Sequence, residues 1–432
     1  MRVPQGGVSP ARPKVASPQS GARRSREPRR KSPGGGRPAA AWLWFVLGLA
    51  GCNDRTPQQE AEVDAAVDAA PVTLPCPGQV FARNSGHYGS VTWDGQSFLL
   101  GYEGPFEGNA GIEAWSPEGV LRWNTPLPRA RVLLWREAGQ TGAAWHDYDQ
   151  APDQITGAVV SPEGMLSSLD WPMLPGYSVP EVLPDGRGGR WLVDPRHLRR
   201  SEGQEVVLEV VVDESSETPE YFRRAAAVAP DGSLRVLVSR IVTDWGPEEP
   251  GLAAYALDGS RQMLDLPTDL AVKGLAFHPD GRLLLIGNQP GAWQDRGLYA
   301  FTEALGGRIV GLGEGPLDYD PAFGCRPGND AYSGLSDVVP MPGGDWLAHG
   351  YACWDGDLTA IWLLRLSFEG EVRWQARVDL DNENFLQGVA VADDGTIALS
   401  GTMRACCIDT WGDEVAWLMF VDSEGQCLDA VR

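Results

Sequence analysis

The chain has 432 residues, 43% apolar and 22% charged, so it can bury a large core and is not disordered throughout. Its formal charge of −22 is uneven. Residues 1–51 hold ten Lys/Arg against one acid, Glu27, which leaves 26 basic and 57 acidic residues, a net −31, in the remainder. A body that acidic is a poor match for nucleic acid or an anionic lipid face, and neither is expected to bind it.

An apolar run from Ala39 to Cys52 (AAAWLWFVLGLAGC) follows the basic leader. It is shorter than the roughly 20 residues a spanning helix needs, and basic, apolar and small-residue zones in that order read as a secretory signal. Leu49-Ala50-Gly51-Cys52 resembles the lipobox of bacterial lipoproteins. The resemblance implies that Cys52 is diacylated and becomes the first mature residue. The chain would then be exported and held by lipid at a bacterial membrane, on the periplasmic side or the cell surface. Residues 1–51 are then a signal with a long basic leader. Residues 52–75, acidic and almost without large apolar side chains, read as a disordered tether.

Residues 76–432 read as one all-β domain of repeated units. Each copy has a first tight turn, at Gly95, Gly139, Gly186, Gly232, Gly281, Gly344 and Gly395. A second follows at Gly119, Gly164, Gly203, Gly259, Gly307, Gly370 and Gly425. First turns recur at intervals of 44, 47, 46, 49, 63 and 51 residues. The two series keep step at the period of four-stranded propeller blades, which predicts a seven-bladed β-propeller. Innermost strands are rich in small residues (RRAAAVA, VKGLAF, LQGVAVA), and third strands are bulkier (LAAYAL, IWLLRL). The third copy, with only 17 residues between its turns, is expected to have a stunted third strand. In the last copy LQGVAVA, TIALSGT, VAWLMFV and QCLDAV supply four strands, so the ring is expected to close without borrowing one from the N-terminus. VAWLMFV is apolar at every position, which requires cover on both faces.

Beyond Cys52 six cysteines remain, an even number in an exported chain, and these read as disulfides. Cys76 precedes the first copy and Cys427 ends the last, so their pairing would staple the ring. Cys325–Cys353 is the preferred second pair. Cys406 and Cys407 remain as a vicinal disulfide or a split pair.

The loops between second and third strands carry Trp245, Trp293, Trp354 and Trp411 beside polar or acidic residues. The long interval marks an insertion over 313–334 that holds Tyr319, Phe323 and Cys325. Indoles next to carboxylates suit stacking on sugars or gripping a protein, and packing on the neighbouring blade is the rival role. His146 and His349 end second strands and complete the candidate binding face; structural roles are the alternative. The stretch from Asp379 to Asn384 begins like a cation loop but lacks its turn glycine and bidentate glutamate, so no metal is expected. No catalytic or phosphate-cradling motif is present, and no cofactor is expected.

Trp362-Leu363 followed by Gly370 and Trp374 resemble the β-propeller repeats of exported bacterial proteins, a group defined by shape that hosts many functions. Cys406-Cys407 and the Gly-x-x-x-Trp turns are similar to features of quinoprotein dehydrogenases, which would imply a quinone. The expectation is a monomeric envelope lipoprotein whose propeller binds a protein or glycan without catalysis. An exported quinone-dependent oxidoreductase or hydrolase, or a scaffold within an envelope complex, are the alternatives.

Overall fold

The computed structural model describes residues 72–74, 81–83, 87–103, 110–128, 130–147, 155–172, 174, 179–212, 220–241, 248–264, 266, 271–288, 298–302, 308–311, 332–354, 360–368, 370–378, 383–404 and 414–428. All belong to one compact unit, residues 63–432. Two short strands come first, β1 (Val72–Leu74) and β2 (Phe81–Arg83). Sheet one is β3 (His87–Trp93), β4 (Phe98–Glu103), β5 (Ala110–Trp115) and β6 (Leu121–Leu127). Sheet two is β7 (Ala130–Glu137), β8 (Gln140–Asp147), β9 (Ile155–Val160) and β10 (Leu166–Ser168). Sheet three is β11 (Glu181–Pro184), β12 (Gly189–Val193), β13 (His197–Glu202) and β14 (Glu205–Val211). Sheet four is β15 (Glu220–Val228), β16 (Leu234–Ile241), β17 (Glu248–Tyr255) and β18 (Arg261–Leu264). Sheet five is β19 (Ala271–Phe277), β20 (Leu283–Asn288), β21 (Leu298–Thr302) and β22 (Arg308–Gly311). Sheet six is β23 (Tyr332–Pro340), β24 (Trp346–Trp354), β25 (Ala360–Leu366) and β26 (Val372–Val378). The chain ends with β27 (Glu383–Val391), β28 (Ile397–Arg404) and β29 (Glu414–Val421).

Six sheets are thus complete four-stranded antiparallel blades built from one unbroken run of chain each, not the seven self-contained blades expected. The remaining sheet is composite, in the order β2-β29-β28-β27. The N-terminal β2 takes its outer position, with Phe81 opposite Leu418 and Arg83 opposite Ala416. Of the segment QCLDAV, expected to be that strand, the described residues 426–428 form an isolated bridge between Val421 and Cys427 and a backbone hydrogen bond from Leu428 N to Phe420 O, but no strand. Part of the expected tether is also ordered. Val72–Leu74 adds to sheet six as a fifth strand, parallel to β26.

Seven apolar clusters fill the spaces between sheets, and each draws on two sheets consecutive around the ring. The strand β29 shows why its sequence is apolar throughout. Trp417, Met419 and Val421 pack toward Leu347 and Leu363 of sheet six. Ala416, Leu418 and Phe420 pack toward Tyr88, Phe98 and Leu100 of sheet one, so the last interface joins the end of the chain to its beginning. Alternate side chains serve opposite neighbours because strand side chains alternate in direction.

The predicted turn glycines behave as required. All those among the described residues, every one but Gly307, have positive φ. Acids stabilise these turns: Asp394 Oδ1 accepts from Thr396 N (2.9 Å), and Asp422 Oδ1 from Glu424 N (2.9 Å) and Gln426 N (2.8 Å).

Sheet three departs from the expectation for a different reason than a missing strand. Its third strand, β13, has six residues, and the spacing is short because only Asp194–Arg196 separates it from β12. Asp194 Oδ1 accepts from Arg196 N (2.8 Å) and His197 N (2.9 Å), closing a tight hairpin where sister sheets have a loop. This strand also buries Arg199 and Arg200 at 5% and 6% exposure, so its composition does not read as a core strand. Arg200 reaches Asp185 at 2.6 Å and Glu202 at 2.7 Å, and Arg199 reaches Glu209 at 2.7 Å. Burial pushes the Asp185 carboxyl up, but the Arg187 N–H, the Arg200 guanidinium and the Gly189 N–H outweigh it and leave it below its ordinary value.

Adjacent sheets are also tied by side chains reaching the next turn. Trp123 Nε1 donates to Pro162 O (2.6 Å) and Trp374 Nε1 to Ser423 O (2.8 Å). The two indoles lie against Gly164 and Gly425 respectively. The Gly-x-x-x-Trp pattern noted in the sequence therefore performs a packing role here. Glycine has a second use within strands: a Cβ on Gly401 of β28 would run into the Phe385 carbonyl and lie 2.5 Å from the Trp417 ring. At Gly139 nothing stands within 4 Å and only the positive φ of 79° opposes a side chain. Gly401→Ala is accordingly expected to lower stability by about 3 kcal/mol or more, and Gly139→Ala by about 1 kcal/mol, in urea melts.

Candidate functional site in the central channel

The innermost strands β3, β7, β11, β15, β19, β23 and β27 face the axis of the ring, and small residues let them approach. A Cβ on Gly388 of β27 would lie 2.9 Å from the Gly89 carbonyl, and one on Gly274 of β19 would lie 2.6 Å from Asp337 Cα of β23. In five of these strands, β3, β15, β19, β23 and β27, the ladder to the second strand is interrupted by a bulge. A bulge leaves a residue unpaired and re-aims its neighbours. Lys273, Ser336 and Gln387 occupy such positions.

A cavity of about 300 Å³ occupies the channel beside sheets three to six. Its walls come from β11, β15, β19 and β23, on the halves of β15, β19 and β23 nearest the tight turns. Most of the wall is Ala, Leu, Val and Phe, broken by two carboxylates, Glu181 and Asp337. Asp337 follows the bulge in β23, and its Oδ1 accepts from Val338 N at 2.8 Å. Its side chain is exposed to the channel, and desolvation by the surrounding strands pushes the carboxyl up to about 6, an effect that channel water screens in part. Opposite it in the ladder stands His349 of β24, half-buried, whose imidazole burial pushes down to about 4. Burial also raises the Tyr351 phenol above its ordinary value.

The residues singled out in the sequence are distributed differently. Trp245, Trp293, Trp411, Tyr319, Phe323, Cys52, Cys76, Cys325, Cys406 and Cys407 lie outside the described residues, as do the side chains of Cys353 and Trp354, whose backbone belongs to β24. His146 is 1% exposed within β8 and does not present its imidazole to the surface, while His349 is half-buried in β24 and its imidazole is held neutral. Asn384, weighed as part of a cation loop, is fully buried in β27. The channel carboxylates were not singled out. The available signal was an Asp in the middle of an innermost strand (SGLSDVVP), where sister strands carry small or apolar residues.

Sheet order, shared cores and central channel together define the class of protein: a β-propeller of four-stranded antiparallel blades. No family model matches the sequence, and no curated protein matches it. Among solved structures the chain is similar to the β-propeller domain of the Trilobed protease from Pyrococcus furiosus, described as having an open velcro topology. That likeness has 11% identity over 81% of this chain and 99% of that one, with a TM-score of 0.49. It is also similar to an ancestral GH74 enzyme (12% identity, 80% of this chain, 49% of that one, TM-score 0.48). A glucose dehydrogenase is similar at 14% identity over 79% of this chain and 98% of that one, with a TM-score of 0.37. These are distant likenesses of shape, and the class rests on the sheets themselves.

The pH dependence of stability tests the placement of Asp337. In the unfolded chain the carboxyl ionises near 3.8 and in the folded protein at about 6. Its contribution is therefore intact below pH 4 and is lost as pH rises toward 6. His349 acts in the opposite sense: its folded value of about 4 against 6.5 unfolded makes stability fall as pH drops through that window. Because the two slopes oppose, single substitutions are needed. Channel water screens part of the Asp337 effect, so Asp337→Asn is expected to gain about 1 kcal/mol on the parent between pH 4 and pH 7. Thermal or urea melts at the two pH values read the change in the gap.

Proposed function

We propose that the mature protein is an exported, monomeric lipoprotein, held at a bacterial membrane by acyl chains on Cys52. Its propeller serves as a non-catalytic platform for a protein or glycan partner. One observation carries the reading: the two ends of the blades are unlike. At one end the chain makes tight turns, and carboxylates such as Asp94, Asp185, Asp231 and Asp422 are occupied by backbone N–H groups of those turns. At the other end leave the longer connections that carry Trp245, Trp293 and Trp411, with Trp354 ending the strand before one of them. Loops set on a rigid scaffold are where recognition is ordinarily placed. The burial of His146 and the low imidazole value of His349 favour binding over acid–base catalysis. The tying role of Trp123 and Trp374 removes most of the basis for a quinone site.

A Cys76–Cys427 disulfide belongs to the same proposal. Cys76 lies five residues before β2, which pairs with β29, and Cys427 bridges to the end of β29. The Cys427 thiol is not free. Peptide mapping without reduction is expected to recover the two cysteines in one cross-linked pair; two alkylated thiols would rule the pairing out.

Metabolic labelling with a tagged palmitate is expected to mark the parent chain and to fail with Cys52→Ser. Glycan arrays and cross-linking in intact cells then test the platform. Trp354→Ala and Trp411→Ala are expected to weaken capture about tenfold with little change in melting temperature. Capture unaffected by both substitutions, or no capture on either assay, contradicts the proposal.

A further inference from the structure

We infer that the channel cavity is a second binding site, for a small organic cation whose amine sits against Asp337 and Glu181 and whose apolar body lies along the strands of sheets four and five. The site lies in the half of the channel toward the tight turns, away from the long-loop end, and does not depend on the platform reading. Four observations lead to it. First, the cavity of about 300 Å³ falls in the range of small-molecule sites. Second, its described walls contain two carboxylates and no basic side chain.

Third, Asp337 stands directly after the Ser336 bulge of β23 with its side chain open to the channel, Gly274 must lack a side chain for β23 to come so close, and partial desolvation raises the carboxyl. Sister strands place Gly89-Ser90 or Gln387-Gly388 at their bulges and carry no carboxylate there. An ammonium bound beside Asp337 would pair with its charge and offset that desolvation. Fourth, the remaining wall is apolar and includes Ala225–Val228, Leu275 and Phe277. A hard divalent ion takes six to eight oxygens, whereas this wall offers two carboxylates among hydrocarbon, which suits an organic amine. Of the charged neighbours whose side chains are described, Lys273 on β19 is exposed beside the bulge and does not line the cavity, and His349 on β24 is neutral.

Isothermal titration of the full chain in detergent at pH 8 tests this with putrescine, phenethylamine, butanol and calcium chloride as probes. At least one amine is expected to bind. Asp337→Asn should weaken it about tenfold and Glu181→Gln about threefold, while Lys273→Ala should leave it unchanged or tighter. Absence of amine binding at about 10 mM overturns the inference, as does equal affinity for Asp337→Asn, or calcium binding that depends on Asp337 without amine binding. Should Asp337→Asn fail to fold, Glu181→Gln decides: unchanged amine affinity rejects the site and weakened affinity upholds it.

Discussion

Every sheet in this protein has two apolar faces, and none can be stable alone. That single constraint organises the rest. A four-stranded sheet with Trp417, Met419 and Val421 on one side and Leu418 and Phe420 on the other must be covered twice, and identical needs in its neighbours are met by arranging the sheets in a ring. The number of interfaces then equals the number of sheets, and no apolar face is left over. Because all the clusters are shared, the ring depends on every interface, including the one where the two ends of the chain meet.

The chain meets the closure problem with strands from its N-terminal segment. β2 supplies the outer strand of the last sheet, so the first and last parts of the domain are hydrogen-bonded into one element. β1 adds a fifth strand to sheet six, the sheet beside it. Any load passed up from the N-terminal segment reaches these outer strands before it reaches a core.

Much of this was legible from residue spacing. Gly at two positions per copy marks the turns because positive φ is cheap for no other residue, and a period-two apolar pattern marks the strands. Three features were not. The closing strand is three residues long, FAR, too short and too ordinary to stand out from a linker, whereas QCLDAV looked the better strand. Sheet three has a complete third strand hidden by its composition, since Arg199 and Arg200 are buried through ion pairs that only tertiary structure supplies. The channel site is set by bulges, which a strictly alternating reading of β23 does not show. The carboxylates of the tight turns serve those turns; the Asp280 group, held down to about 2 chiefly by its bond to Arg282, is one of them.

The account therefore stands on closure by β2, and hydrogen exchange of the full chain at β29 tests that most directly. Amides of β29 that point away from β28, around Ala416–Leu418, should exchange as slowly as those of the inner strands, because β2 holds them. Exchange of those alternate amides at the rate of an open sheet edge, with the β28-facing amides still protected, would contradict it.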